Sequence, residues 1–162
     1  MEIEKLISEM IKYYSGDPKR IQHFLKVYSF ASIIGKEEKL DKKTQEILQI
    51  ASIVHDIGIK VSEEKYNSSA GKYQEIEGPS IARDMLFRLG YDEDIIARVC
   101  YLVGHHHTYN DIQGVDYQIL VEADFLVNIY EDGLDKESII NAYDRIFKTV
   151  AGKTILKDMY GI

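Results

Sequence analysis

The segment from Ile47 to Ile59 constrains this chain more than any other. Its aliphatic residues, Ile47, Leu48, Ile50, Ala51, Ile53, Val54, Ile57 and Ile59, fall on nearly every side of a helical wheel. A helix apolar all round has to be enclosed by other elements, so this one is expected at the centre of the domain. The β-branched content also suits a buried strand, although the run is long for one. Within it stand His55 and Asp56. A carboxylate in such surroundings cannot ionise alone, because an unpaired buried charge is strongly disfavoured. Asp56 therefore needs either a metal ion or a buried cation, with Arg20 and Lys60 the nearest candidates.

The rest of the chain is dominated by helical periodicity. Ile3, Leu6, Ile7, Met10 and Ile11 mark a first helix that stops near Tyr14-Ser15-Gly16. Asp17 followed by Pro18 gives an N-cap and first helical residue for a second helix running towards Gly35. Asp41, or alternatively Thr44, caps the third. Residues 60–77 break the pattern and are expected to be irregular, either a mobile lid or a solvated surface loop. Pro79 then opens a helix ended by Gly90, and Asp92 caps one that runs through Val103. A polar loop reaches Gly114, a helix spans about Asp116 to Glu131, and two short helices, roughly Lys136–Phe147 and Val150–Tyr160, close the chain. The expectation is one all-α domain over residues 1–162.

Composition bounds the function. The 162 residues are 45% hydrophobic and 29% charged, ordinary for a globular domain. With 20 basic and 27 acidic residues the net charge is −7. That surface repels a phosphate backbone, so neither a nucleic-acid polymer nor an anionic membrane is the expected partner. No apolar run approaches the roughly 20 residues of a membrane span. The opening Met1-Glu2-Ile3-Glu4-Lys5 lacks an export-type apolar core, so a cytoplasmic location is expected. Cys100 is the only cysteine and reads as a small core residue.

The chemistry-bearing residues are the five histidines, His23, His55, His105, His106 and His107, with Asp56 and Asp124. Asp124 repeats the problem of Asp56, an acid within Leu120-Val-Glu-Ala-Asp-Phe-Leu-Val127. Its alternative is an acid at a helix-face boundary, the reading given to Glu122. Imidazoles and carboxylates from several helices converging on one buried point are the ligand set of a transition-metal site.

The order His23, His55-Asp56, Asp124 is similar to that of the HD superfamily of metal-dependent phosphohydrolases. His55-Asp-Ile-Gly58 resembles the family's central His-Asp-x-Gly signature, and Gly104-His-His-His-Thr-Tyr-Asn-Asp111 resembles the paired-histidine segment of its two-metal members. The resemblance runs from about Arg20 to Asn128 and implies a compact helical bundle. It implies that His23, His55, Asp56 and Asp124 hold a first ion, and that Asp56 bridges to a second held by His106 and His107. His105 is then spare or a substrate contact. Two-metal members carry a further histidine shortly before the following helix, where this chain reads Tyr73-Gln-Glu-Ile-Glu-Gly78. Glu75 or Glu77 replaces it, or the site holds one ion.

The implied activity is release of phosphate from a small phosphorylated substrate, foremost a nucleotide, using one or two divalent ions among which Mn, Fe, Zn, Ni and Mg are not separated. Asp56, Arg20 and Lys60 are expected in the catalytic machinery. Lys65 is a further candidate cation for phosphate, and Lys72, Tyr73 and Tyr109 are candidate substrate contacts. The alternatives are a non-catalytic sensor or docking module of the same fold and an oxygen-using di-iron enzyme. A homodimer through the terminal helices stays open.

Overall fold

The structure, a computed structural model, describes residues 3–162; Met1 and Glu2, the first residues of the stretch read as lacking an export signal, lie outside the described residues. In chain order it comprises α1 (Ile3–Tyr13), α2 (Pro18–Glu37), α3 (Lys42–Val54), α4 (Ile59–Tyr66), α5 (Gly71–Arg88), α6 (Glu93–Val103), α7 (Val115–Glu131), α8 (Lys136–Arg145) and α9 (Val150–Tyr160), with no strand among the described residues. None of these helices is long and apolar enough to cross a membrane.

The local signals act as their chemistry requires. The Asp17 carboxylate accepts from the Arg20 amide with Pro18 in the first turn. Asp41, not Thr44, caps α3, accepting from the Thr44 amide at 2.9 Å. Asp92 stands at the N-cap of α6, but its side chain makes no capping hydrogen bond. As the apolar wheel predicts, α3 is enclosed: Leu48, Ile50, Ala51, Ser52, Ile53 and Val54 are fully buried. It packs against α2, α6 and α7, and α2 packs in turn on α7. The residues that matter for function lie where these helices meet.

Four expectations need correction. The helix carrying the apolar run ends at Val54, and residues 55–58 form a turn before α4. The turn follows from packing that composition does not reveal, because α5 crosses it at Gly58. A Cβ there would lie 2.8 Å from the Gln74 carbonyl oxygen and 2.9 Å from the Gly78 nitrogen.

Residues 60–77 are not an irregular loop or lid. They are almost wholly helical, and only residues 67–70 separate α4 from α5. Asn67 ends α4 in the left-handed region (φ 51°), which asparagine tolerates. Pro79 lies inside α5 rather than at its start. An interior proline forfeits a backbone hydrogen bond and costs about 3 kcal/mol. The two turns before it are held by tertiary contacts instead: Gly78 on Gly58 and Val103, and Glu75 on the His107 amide and the Thr108 hydroxyl.

Glu122 is not at a surface boundary. It is fully buried and accepts from the Lys148 and Thr149 amides, the Thr149 hydroxyl and the Gln118 side chain. Those donors offset the desolvation of its charge and tie the start of α9 to α7.

Candidate metal centre

Three regions of the chain bring the sequence-predicted acids and histidines to one point. His23 comes from the interior of α2, His55 and Asp56 from the turn after α3, and Asp124 from the middle of α7. His23 Nε2 lies 3.2 Å from His55 Nε2, 3.2 Å from Asp56 Oδ2 and 3.2 Å from Asp124 Oδ1. His55 Nε2 lies 3.4 Å from the same two carboxylate oxygens. A central cation with bonds of about 2.0–2.2 Å sets neighbouring ligand atoms roughly 3.0–3.5 Å apart in tetrahedral or octahedral geometry. The observed spacings fall in that range.

The hydrogen bonds outside the cluster agree. His55 Nδ1 donates to the Ser52 carbonyl at 2.7 Å, His106 Nδ1 to the Val103 carbonyl at 2.8 Å, and His23 Nδ1 to the Glu131 carboxylate at 2.5 Å. With Nδ1–H so committed, the Nε2 of each neutral ring presents a lone pair inward. Asp124 Oδ1 and His106 Nε2 are buried and form no hydrogen bond of proper geometry. An inward-facing set made only of acceptors needs a cation or extra protons.

The titration shifts report the same need. Burial would lower His23 and His55, but the closely placed Asp124 and Asp56 carboxylates outweigh it and raise them to about 11 and about 10. Burial would likewise raise Asp56 and Asp124. His55, His106 and His23 hold Asp56 well below the ordinary carboxylate range, and His23 and His55 do the same for Asp124. In the absence of a metal, protons on the histidines supply the positive charge.

A second group adjoins the first. Asp56 turns Oδ2 to His23 and His55, and Oδ1 to His106 Nε2 at 3.4 Å; His107 completes a possible second ligand set. Of the residues just before Gly78, Gln74 rather than Glu75 or Glu77 lines the cavity beside His107. The Gln74 amide nitrogen donates to the Ser69 carbonyl at 2.6 Å, which leaves its oxygen to accept from His107 Nε2 at 3.0 Å. His107 thus carries its proton on Nε2 and has only Nδ1 to offer. Burial and the neighbouring His106 push its pKa down to about 4.

The other sequence candidates spread out. A cavity of about 480 Å³ is lined by His23, Asp56, His107 and Asp124, with Lys19 and Arg20 on the α2 side and Asn128, Glu131 and Asp132 on the α7 side. Arg20 is braced by Asp17 at 3.2 Å and Glu63 at 2.8 Å. Lys60 lines a separate recess and reaches the Tyr13 carbonyl. Glu75 is spent on His107 and Thr108, and Glu77 on Lys65. Tyr73 stacks on Tyr66 with Lys72 over its ring, and none of the three lines the cavity. His105 stacks on Tyr101 and donates to its carbonyl, outside both ligand groups. Tyr109 packs edge-on against Phe125 but leaves 39% of its surface exposed, and its pKa is raised by desolvation and then by Asp124 and Glu75. Cys100 donates to the Pro79 carbonyl, and burial raises its thiol pKa, which keeps it inert.

Two participants were missed from sequence. Glu131 follows Asp124 by seven residues, two turns along the same face of α7, so helical spacing alone would have found it. Gln74 carried no comparable signal, because only the fold sets it against His107.

An all-helical domain with a buried histidine–carboxylate centre shared among its helices is the class defined by this fold and site. The family model described as HD domain matches residues 20–148, and the chain belongs to that family. A solved structure described as a "predicted HD superfamily hydrolase", from an uncultured Thermotogales bacterium, shares the fold with a TM-score of 0.71. It is 23% identical, and the match covers 98% of this chain and 84% of that one. No curated protein matches the sequence significantly.

Proposed function

We propose that the chain is a metal-dependent phosphohydrolase acting on a small phosphorylated compound, with nucleotides the first class to test. The observation that carries this reading is the inward set of His23, His55, Asp56 and Asp124, spaced for a cation and facing a polar cavity. A divalent cation held there lowers the pKa of water from about 15.7 towards 7 and polarises a phosphoryl oxygen.

The chain's own residues do the rest. His23 and His55 orient their Nε2 lone pairs, and Asp56 and Asp124 balance the positive charge. Arg20, braced by Asp17 and Glu63, presents a fixed guanidinium at the cavity wall, and Lys19 adds a second cation beside it. Both suit the anionic oxygens of a phosphate. Lys60 lines the adjoining recess rather than this cavity, so the phosphate contacts are assigned to Arg20 and Lys19. A small-molecule partner, rather than a nucleic-acid polymer, goes with the acidic surface.

The engagement of His107 by Gln74 favours one alternative, a module that binds metal or nucleotide without turnover. A phosphate-release screen over nucleoside mono-, di- and triphosphates and sugar phosphates, with Mn²⁺ and with chelator, separates the two. Chelator-sensitive release from at least one class is expected. No release from any compound by metal-replete protein would leave the binding module.

A further inference from the structure

The three inward-facing histidines are fixed in two different ways. His55 and His106 stand at or just beyond the ends of α3 and α6, and their Nδ1 atoms donate to Ser52 and Val103 three residues back. Those carbonyls are among the last of a helix, which have no intrahelical partner and accept freely. His23 has no such neighbour. It lies in the interior of α2, where the carbonyls around it are engaged in the helix ladder. Its acceptor must come from another element.

That acceptor is Glu131 at the end of α7. Its Oε1 lies 2.5 Å from His23 Nδ1, and its Oε2 lies 3.2 Å from the Lys26 ammonium, one turn beyond His23 on α2. Both oxygens are therefore occupied, although the residue lines the cavity. Glu131 is placed neither as a free ligand nor as a substrate contact. Asp124 and Glu131 share a face of α7, so one helix carries both a ligand and the group that orients a ligand from another helix.

We propose that Glu131 is the positioning residue of the centre, holding His23 in the Nδ1–H form and strengthening its Nε2 as a donor. The inference rests on the metal-centre reading above. It sets His23 apart from His55 and His106, whose acceptors are neutral carbonyls, and it makes the metal affinity dependent on a residue that touches no metal. Lys26 donates only to the other oxygen of the same carboxylate, so the His23 contact does not depend on it.

The test is Zn²⁺ affinity, read by competition with a chromogenic chelator, on full-length wild type and four variants. Thermal unfolding in chelator verifies that each is folded. Glu131→Ala is expected to bind roughly 10–100-fold more weakly, the usual effect of removing such an outer partner. Lys26→Met should bind close to wild type, because the carboxylate still accepts from His23. Glu131→Gln, nearly isosteric, should be weakened, since its amide offers one acceptor to two donors, His23 Nδ1–H and Lys26. Combining Lys26→Met with Glu131→Gln removes the competing donor and should recover affinity relative to Glu131→Gln alone. A folded Glu131→Ala that binds like wild type overturns the proposal. So does a Lys26→Met that loses as much as Glu131→Ala, or a double variant no better than Glu131→Gln. Absence of Zn²⁺ binding by wild type would instead remove the metal-centre reading and the proposal with it.

Discussion

Gly58 and Gly78 meet backbone to backbone: a Cβ on Gly58 would lie 2.9 Å from the Gly78 nitrogen and 3.0 Å from its Cα. The turn that carries His55 and Asp56 is thereby clamped beneath α5. Backbone atoms cannot give way as a flexible side chain can. Gly58→Ala is expected to cost about 1–3 kcal/mol, as overpacking typically does, and to lower the melting temperature by about 2–4 °C per kcal/mol for a domain of this size. Thermal unfolding measures it, and an unchanged melting temperature would mean that the helix yields.

The same turn is held from the other side by α1 and the residue that follows it. The Tyr14 hydroxyl donates to the Asp56 carbonyl at 2.6 Å, and Tyr13 to the Ile57 carbonyl at 3.2 Å. These contacts come from a segment that precedes the part of the chain matched by the family model. Tyr14→Phe should destabilise the protein by about 0.5–1.5 kcal/mol, with weaker metal binding as the turn loosens. Denaturant titration and metal competition on one preparation read both effects.

Protonation and metal occupancy should trade places. In metal-free protein, His23 and His55 are raised from 6.5 to about 11 and about 10, so their contribution to stability is full below pH 6.5 and is lost as pH rises through those values. Asp56 and Asp124 are depressed, so theirs is present above the ordinary value of 3.8 and lost as pH falls below it. The chelated protein should therefore be most stable between about pH 4 and 6.5 and weaken steadily towards pH 10. Metal-loaded protein should not show that alkaline loss, and metal affinity should increase with pH because binding expels protons. Melting curves from pH 4 to 10, with and without Mn²⁺, decide it; parallel curves would mean that metal does not replace those protons.

Glu122 should behave as a structural acid only. Glu122→Ala strips acceptors from the buried Thr149 amide and hydroxyl and from the Lys148 amide. Each buried donor left unpaired costs about 1–3 kcal/mol. The expected result is a lower melting temperature and early proteolysis at α9, with metal stoichiometry unchanged under folding conditions. Loss of metal from folded Glu122→Ala would show that the two acids of α7 are coupled.

Glu122 and Asp124 also show what the sequence could and could not reveal. Both are acids in an apolar helix, two residues apart, and nothing in their local context distinguishes a tether of α9 from a member of the metal centre. Periodicity located α1, α2, α6 and α7 closely, because their faces are patterned. It failed at Val54, where the run stays apolar through a turn made by the contact of Gly58 with Gly78. It failed again at Pro79, whose usual place in the first turn of a helix was overridden by the packing of Gly78 and Glu75. Glu131 is legible as the residue two turns beyond Asp124, although it lies outside the motif.

His23, His55, Asp56 and Asp124 should hold a divalent cation. The most direct measurement is metal content per chain on protein purified without chelator or nickel resin, with Asp56→Ala purified alongside. One or two equivalents in the wild type, lost in a folded Asp56→Ala, is the predicted result. No metal in the wild type, even after Mn²⁺ or Fe²⁺ is supplied, would contradict it and leave the buried acids balanced by protonated histidines alone.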